Sequence, residues 1–427
     1  MNKTLQYFEV TPKIFRSGIK TQVVIKPLFG PCFDSDVYTL EFLPFDESRE
    51  PVYDYDTLPI RPTEGCLVFS YTFTGEQEYI IRVFKPGDAI KPDNTWLNFK
   101  IYALHDDLYS RYPWRGDLHA HSNASDGQEA GEFVAANYRK EGFDFFALTD
   151  HHVYWPSVQC AAYYKDKPVD IHIMRGEEVH SIDNHVHIVN AGGRASVNEL
   201  FEHDPIGYDR DVRALMEELD CPEGVNAYEY AASIWVFRKI RETGGLSIFV
   251  HPHWMADVYH VPHKLTEALF ASGEFDAFEL LGGHEQHSNN LQVAYYFEAR
   301  EKGRTFPVVG SSDSHGTVDT MWFKWMSTIV FAPNNDTTDI LDAIKDGYSV
   351  AVEQFPGETP RVYGAYRLVK FARYLLAEYF ELHDELCFEE GRLMKAMFLG
   401  ESDAREVLGL FKGRTLALLK KYYGKEG

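Results

Sequence analysis

The chain is short of cysteine: it has five in 427 residues, an odd number, scattered and without a CxxC pair. That argues against a disulfide framework or a thiolate zinc ribbon, and it suggests the reduced thiols of a cytoplasmic protein. No apolar run approaches the ~18 residues that a membrane span needs. The opening MNKTLQYFEVTPKIF has no apolar stretch leading to small residues, so no signal peptide is expected. Positive charge is also scarce, with 42 Lys+Arg against 65 Asp+Glu and a formal net charge of −23. Such a surface repels phosphate backbones and anionic bilayers, so neither a nucleic-acid polymer nor a membrane is the expected partner. A small anionic substrate remains compatible, because bound cations invert the local field. Internal repeats and low-complexity tracts are missing too.

Hydrophobic residues make up 44% of the chain and aromatics 15%, enough to build real cores. At roughly 100–200 residues per domain, the length suits two or three domains. In residues 1–112, β-branched and aromatic runs at 23–29, 37–45, 66–73, 79–85 and 97–104 are separated by Pro, Gly, Asp and Asn. They predict the strands of a β-sandwich. Residues 113–355 change texture. Short apolar runs at 143–150, 170–179, 185–191, 245–252, 277–282 and 306–313 alternate with helix-like stretches. That alternation predicts an α/β domain, either a largely parallel sheet or a (β/α) barrel, with functional residues where strands end. Residues 356–427 read as a helical C-terminal region with apolar positions every third or fourth residue. Its amphipathic face suggests a homo-oligomer through these helices.

Histidine placement is the strongest signal. All histidines except His105 and His383 fall between Trp114 and Gly316, and they recur with carboxylates at the ends of apolar runs. The clusters are Asp117-Leu-His119-Ala-His121, Ser125-Asp126, Thr149-Asp150-His151-His152 and Gly176-Glu177-Glu178. Then come His185-Val-His187, His251-Pro-His253 and Ser312-Asp313-Ser314-His315. On a strand, residues two apart face the same way, so H-x-H and D-x-H present paired ligands. Imidazoles and carboxylates together bind divalent first-row metals, and several such pairs point to a multinuclear site. His172, His180, His203, His260 and His263 match no motif and read as surface or satisfied-core residues.

Taken in order, DLHAH, TDH, GEE, HP and DSH resemble the motifs of the PHP (polymerase and histidinol phosphatase) superfamily. The resemblance runs from Arg115 to about Val352. The WRGDLHAHS context behind a β-rich domain looks most like stand-alone PHP hydrolases related to carbamate-cleaving enzymes. The resemblance implies a distorted (β/α)7 barrel holding two or three divalent ions (Zn, Mn or Fe) at its strand ends. It also implies hydrolysis of a small-molecule substrate by a metal-bridging hydroxide, most simply on a phosphate ester. Carried over by motif, the metal ligands are His119, His121, Asp126, His151, Glu178, His185, His251, Asp313 and His315. Glu178 is preferred over Glu177 and His185 over His187, with both alternatives open. Glu178, Asp313 and His253 are the candidates for catalytic roles, and Arg115, Arg175, His253 and His284 for substrate contact. Many of these phosphoesterases carry a basic residue close after H-P, where this chain has His253-Trp254-Met255. That departure keeps amide, carbamate or ester hydrolysis on the same metals as the alternative.

Overall fold

The computed structural model describes residues 3–29, 32–48, 54–283, 286–318 and 320–425, and the chain divides into two compact units. The first comprises the chain up to Tyr112 with Tyr366–Leu386 and Gly413–Gly427. Its β-branched and aromatic runs form two sheets. One is antiparallel, with order Phe8–Thr11, Lys20–Pro27, Leu67–Thr72. The other has order Ile14–Arg16, Leu97–Leu104, Gln77–Phe84, Tyr38–Pro44, Asp56–Ile60 and is antiparallel except at its first pair. Alternate residues such as Val23, Ile25, Phe42, Ile81 and Phe99 share one buried cluster, as period-two strands require. The five strand segments expected from the sequence are all present. Phe8–Thr11, Ile14–Arg16 and Asp56–Ile60 are additional, being too short or too polar to stand out.

The second unit comprises Pro113–Ala365 and Cys387–Lys412. The helical segment 356–427 is therefore shared between the units, with the division inside the helix Phe380–Phe398. In the second unit one sheet runs His172–Met174, Phe145–Ala147, Tyr112–Asp117, Met326–Ala332, Ser349–Glu353, Arg361–Tyr363. The other runs Gly176–Val179, Ile188–Ala191, Leu246–Phe249, Ala277–Leu281, Val308–Gly310. A largely parallel sheet is not what forms. Parallel pairing joins 112–117 to 145–147 to 172–174, and 246–249 to 277–281 to 308–310. Pairing is antiparallel at 176–179/188–191, across a short link, and also at 188–191/246–249 and 326–332/349–353, where the connections carry helices such as Thr337–Lys345. Helix Ala227–Glu242 buries Ile234, Val236, Phe237 and Ile240 in the cluster that holds Ile188, Phe249 and Phe278.

Long helices bring charge inside as well. Arg139, fully buried on helix Gly131–Lys140, donates to Asp144 at 3.0 Å and Glu390 at 2.7 Å. All five cysteines are free thiols. No described helix is long and apolar enough to cross a membrane.

Candidate metal centre

The site is assembled from segments that continue past strand ends. Beyond strand Tyr112–Asp117 and a bend at Leu118, residues 119–121 run beside residues 313–315: Asp313 N–H donates to His119 O at 2.9 Å and His121 N–H to Ser314 O at 2.9 Å. Period-two alternation then turns His119 and His121 toward the Asp313 side, with Ala120 and Ser314 facing away. Asp117 locks this pairing from below. Its carboxylate accepts from the backbone N–H groups of His119 and Ser312 and from the Tyr138 hydroxyl, and burial lifts its pKa to about 6. A second extended bridge pairs His151 with Glu178.

Glu178 lies at the centre and is fully buried. Its Oε2 sits 2.8 Å from His151 Nδ1, 3.2 Å from His119 Nε2 and 3.5 Å from His121 Nε2. Its Oε1 sits 2.9 Å from His187 Nδ1 and 3.4 Å from His251 Nε2. Asp313 Oδ1 is 2.9 Å from His121 Nε2 and 3.3 Å from His119 Nε2. On the more open side Asp126 Oδ2 lies 3.3 Å from His315 Nε2 and 3.5 Å from His151 Nε2. Four overlapping ligand groups result: His119/His121/Glu178/Asp313, Glu178/His187/His251, His151/Glu178/His180 and His121/Asp126/His151/His315.

These contacts are close, yet they do not satisfy the atoms. Both Glu178 oxygens, His119 Nε2, His121 Nδ1 and His187 Nδ1 are buried and make no hydrogen bond. His119 shows why. Its Nδ1 is 3.1 Å from Glu279, which takes the ring proton on that side, so the Nε2 lone pair is aimed at two carboxylates. Burial opposes charge on this ring, but Asp313 and Glu178 together raise its affinity for a proton well above the ordinary histidine value. Burial likewise opposes the Glu178 carboxylate, and His119 and His187 hold its pKa well below the usual range. Lone pairs converging on shared points, with the second nitrogen of His119 held by the Glu279 carboxylate, are what divalent cations require, and the donor set fits them. Backbone strain marks the same place: Asp313 and His251 adopt positive φ, 50° and 29°.

Eight of the nine expected ligands converge here. His185 does not. Its side chain is 73% exposed, with Nδ1 2.5 Å from Glu229. His187 takes its place because residues 185–187 precede the strand Ile188–Ala191 and do not alternate as a strand would. Glu177 points the other way, held by Ser196, Asn190, Asn198 and the Val197 N–H.

The expected substrate contacts fare worse. Arg115 spends its guanidinium on the carbonyls of Gly142 and Glu141. Arg175 lines a different cavity. His253 is buried among Tyr259, His263 and Tyr295, where burial presses its pKa down to about 4, and it does not line the metal cavity. His284 lies outside the described residues.

The cavity over the ligands measures about 350 Å³ and is bounded by Trp254 and Trp322 besides the ligands and His180. Sequence reasoning passed over His180, whose Nε2 is 2.9 Å from His151 Nδ1 and 3.5 Å from Glu178 Oε1. Its spacing of two from Glu178 was the available signal. Among the described residues, no lysine or arginine lines this cavity.

No family profile matches the sequence, and no curated protein matches it. Among solved structures the chain is similar to a two-domain protein from Bacteroides vulgatus containing a predicted PHP-like metal-dependent phosphoesterase. That likeness has 17% identity and a TM-score of 0.41, over 57% of this chain and 66% of that one. It is also similar to an amidohydrolase from Chromobacterium violaceum with bound sulfate and no metal: 18% identity, TM-score 0.34, over 48% of this chain and 89% of the other. Both likenesses are remote, and the geometry of the cluster itself speaks for a metal centre.

Proposed function

We infer that this chain is a metal-dependent hydrolase of PHP type acting on a small-molecule phosphate ester. The observation that carries the reading is the set of buried, unsatisfied imidazole and carboxylate atoms converging on Glu178 and Asp313. His119, His121, Glu178 and Asp313 would hold one ion, Glu178, His187 and His251 a second, and His121 or His151 with Asp126 and His315 a third. Zinc, manganese and iron suit these donors. Bound divalent ions supply Lewis acidity and lower the pKa of water to about 7 at best. The chain's own residues fix the rest: Glu279 holds His119 in one tautomer, and Asp150 holds the Ser122–Gly127 turn through Ser122 and Ser125, placing Asp126. The same reading takes the two sheets of the second unit as a distorted (β/α)7 barrel and the first unit as a β-sandwich, and it places the protein in the cytoplasm.

A second reading, hydrolysis of a carbamate, amide or ester on the same ligands, is favoured by one observation. Among the described residues, two tryptophans and no lysine or arginine line the cavity, so an apolar carbonyl substrate meets a suitable wall and a phosphate dianion meets no clamp there beyond the ions. Released phosphate from a panel of phosphomonoesters, assayed in Mn²⁺ beside Asp313→Ala, decides between them. Phosphate release that is lost in the variant, whose CD spectrum is unchanged, supports the first reading. Turnover of aryl carbamates or esters without phosphate release supports the second. Activity surviving in Asp313→Ala would overturn both.

A further inference from the structure

A second cavity, of about 820 Å³, lies in the same unit and shares no lining residue with the metal cavity. It opens at the other ends of the strands. His172 begins the strand His172–Met174 and Gly244 precedes Leu246–Phe249, whereas His251 follows the far end of that strand. Arg194 follows Ile188–Ala191, which runs the opposite way and begins just after His187.

Six cationic residues line this cavity, Lys165, Lys167, Arg175, Arg194, Lys345 and Lys412, and of these Lys167, Arg194 and Lys345 donate to the carbonyls of Tyr163, Thr243 and Gly245. Among the described residues, Asp342 is the single carboxylate lining it. Taken singly, each has an ordinary explanation; Lys345, for example, ends the helix Thr337–Lys345, where a cation favours the helix dipole. Their grouping is not ordinary in a chain of net charge −23. Several cations elsewhere in the unit pair with acids, as in Arg213–Asp209 and Arg238–Glu274. Among the described residues, none of these six has a carboxylate within 4.0 Å. The backbone makes room for them: a Cβ at Gly244 would lie 3.0 Å from Arg194 Nη2. Like charges gathered without counter-charge repel, and in proteins that cost is usually offset by an anion.

We propose that this cavity binds a small polyanion of the polyphosphate class. Its volume is of small-molecule size. Two guanidiniums and four ammoniums match several negative charges packed closely, as chained phosphates carry them, with Arg175 and Arg194 able to chelate phosphoryl oxygens in pairs. The proposal stands independently of the hydrolase reading.

Calorimetric titration of the whole 427-residue chain, treated with chelator, with inorganic tripolyphosphate tests it. One site is expected, weakened by salt and unchanged in Asp313→Ala. The double variant Arg175→Ala/Arg194→Ala should weaken it about tenfold or more, the loss of at least one charge-assisted bond. Lys345→Ala/Lys412→Ala, two substitutions of lysines, gives a second reading if the arginine variant unfolds, and it should weaken binding likewise. Citrate should bind about tenfold more weakly than tripolyphosphate. Binding that survives both double variants, binding lost in Asp313→Ala, equal affinity for citrate, or no binding at millimolar ligand would each overturn the proposal.

Discussion

The chemistry of single residues sets the strongest expectations. A buried carboxylate with several imidazole lone pairs around it is costly by several kcal/mol unless a cation sits among them. Glu178 and His187 are in that position, and His185 is not. His187→Ala should therefore lower bound metal, measured by elemental analysis of the purified protein, and His185→Ala should leave it at the wild-type level. The reverse result would return the ligand role to His185. Glu279→Gln keeps the shape but offers His119 Nδ1 a weaker partner. Metal affinity or turnover should then fall about 10–100-fold, the usual effect of removing an orienting carboxylate. Eight of the nine residues named from the sequence come together, because D-L-H-x-H and D-S-H lie side by side through the Ala120–Ser314 bridge just past the strand end. The error at His185 came from applying strand periodicity to residues 185–187, which precede the strand. The Arg115 and Arg175 expectations failed because proximity in sequence to a motif says nothing about which strand end a side chain leaves from.

Elements meet through contacts that no periodicity reveals. Helices Gly131–Lys140 and Phe380–Phe398 touch through Gly391, where an added Cβ would lie 2.2 Å from Lys140 N and 2.6 Å from Ala136 O. Nearby, Glu390 on the second helix accepts from buried Arg139 and from the Asp170 N–H. Gly391→Ala forces these backbones apart, an overpacking cost of about 1–3 kcal/mol. At about 2–4 °C per kcal/mol for a unit of this size, thermal unfolding should begin several degrees lower. An unchanged melting temperature would mean that the helices yield without cost. Arg139→Ala should be worse, about 3–5 kcal/mol, because it strands Asp144 and Glu390 as buried charges. The sequence announced these helices by their apolar stripes and Leu, Ala, Lys and Glu content. A stripe states that one face is covered and does not name the cover, which is why 356–427 read as one region although its helices divide between two units. The mixed strand directions were hidden for a related reason: short links between 179 and 188 look like any other loop until pairing is known.

At the scale of the whole molecule, negative charge is the main constraint, and the two units handle it differently. In the first, Arg367 binds Glu76 and Asp107, and buried Lys13 is held by Glu378 at 2.7 Å, so its acids are answered from within. In the second, Glu178, Asp313 and Asp126 are answered by imidazoles that carry no full charge when neutral, and the deficit falls on cations from solution. Binding to the folded form alone stabilises by RT ln(1 + [L]/Kd), about 4 kcal/mol at a thousandfold excess over Kd. Calorimetric unfolding with and without chelator should therefore show one transition, that of the second unit, falling by several degrees, while the transition of the first unit stays in place. Asp313→Ala should already melt like the chelated protein and show no further response, because the ligand is gone. If both transitions moved together on chelation, the units would be thermodynamically one. If neither moved, the cluster would hold its charges without metal, and the protonated His119 favoured by its two carboxylates would be the stabilising cation instead.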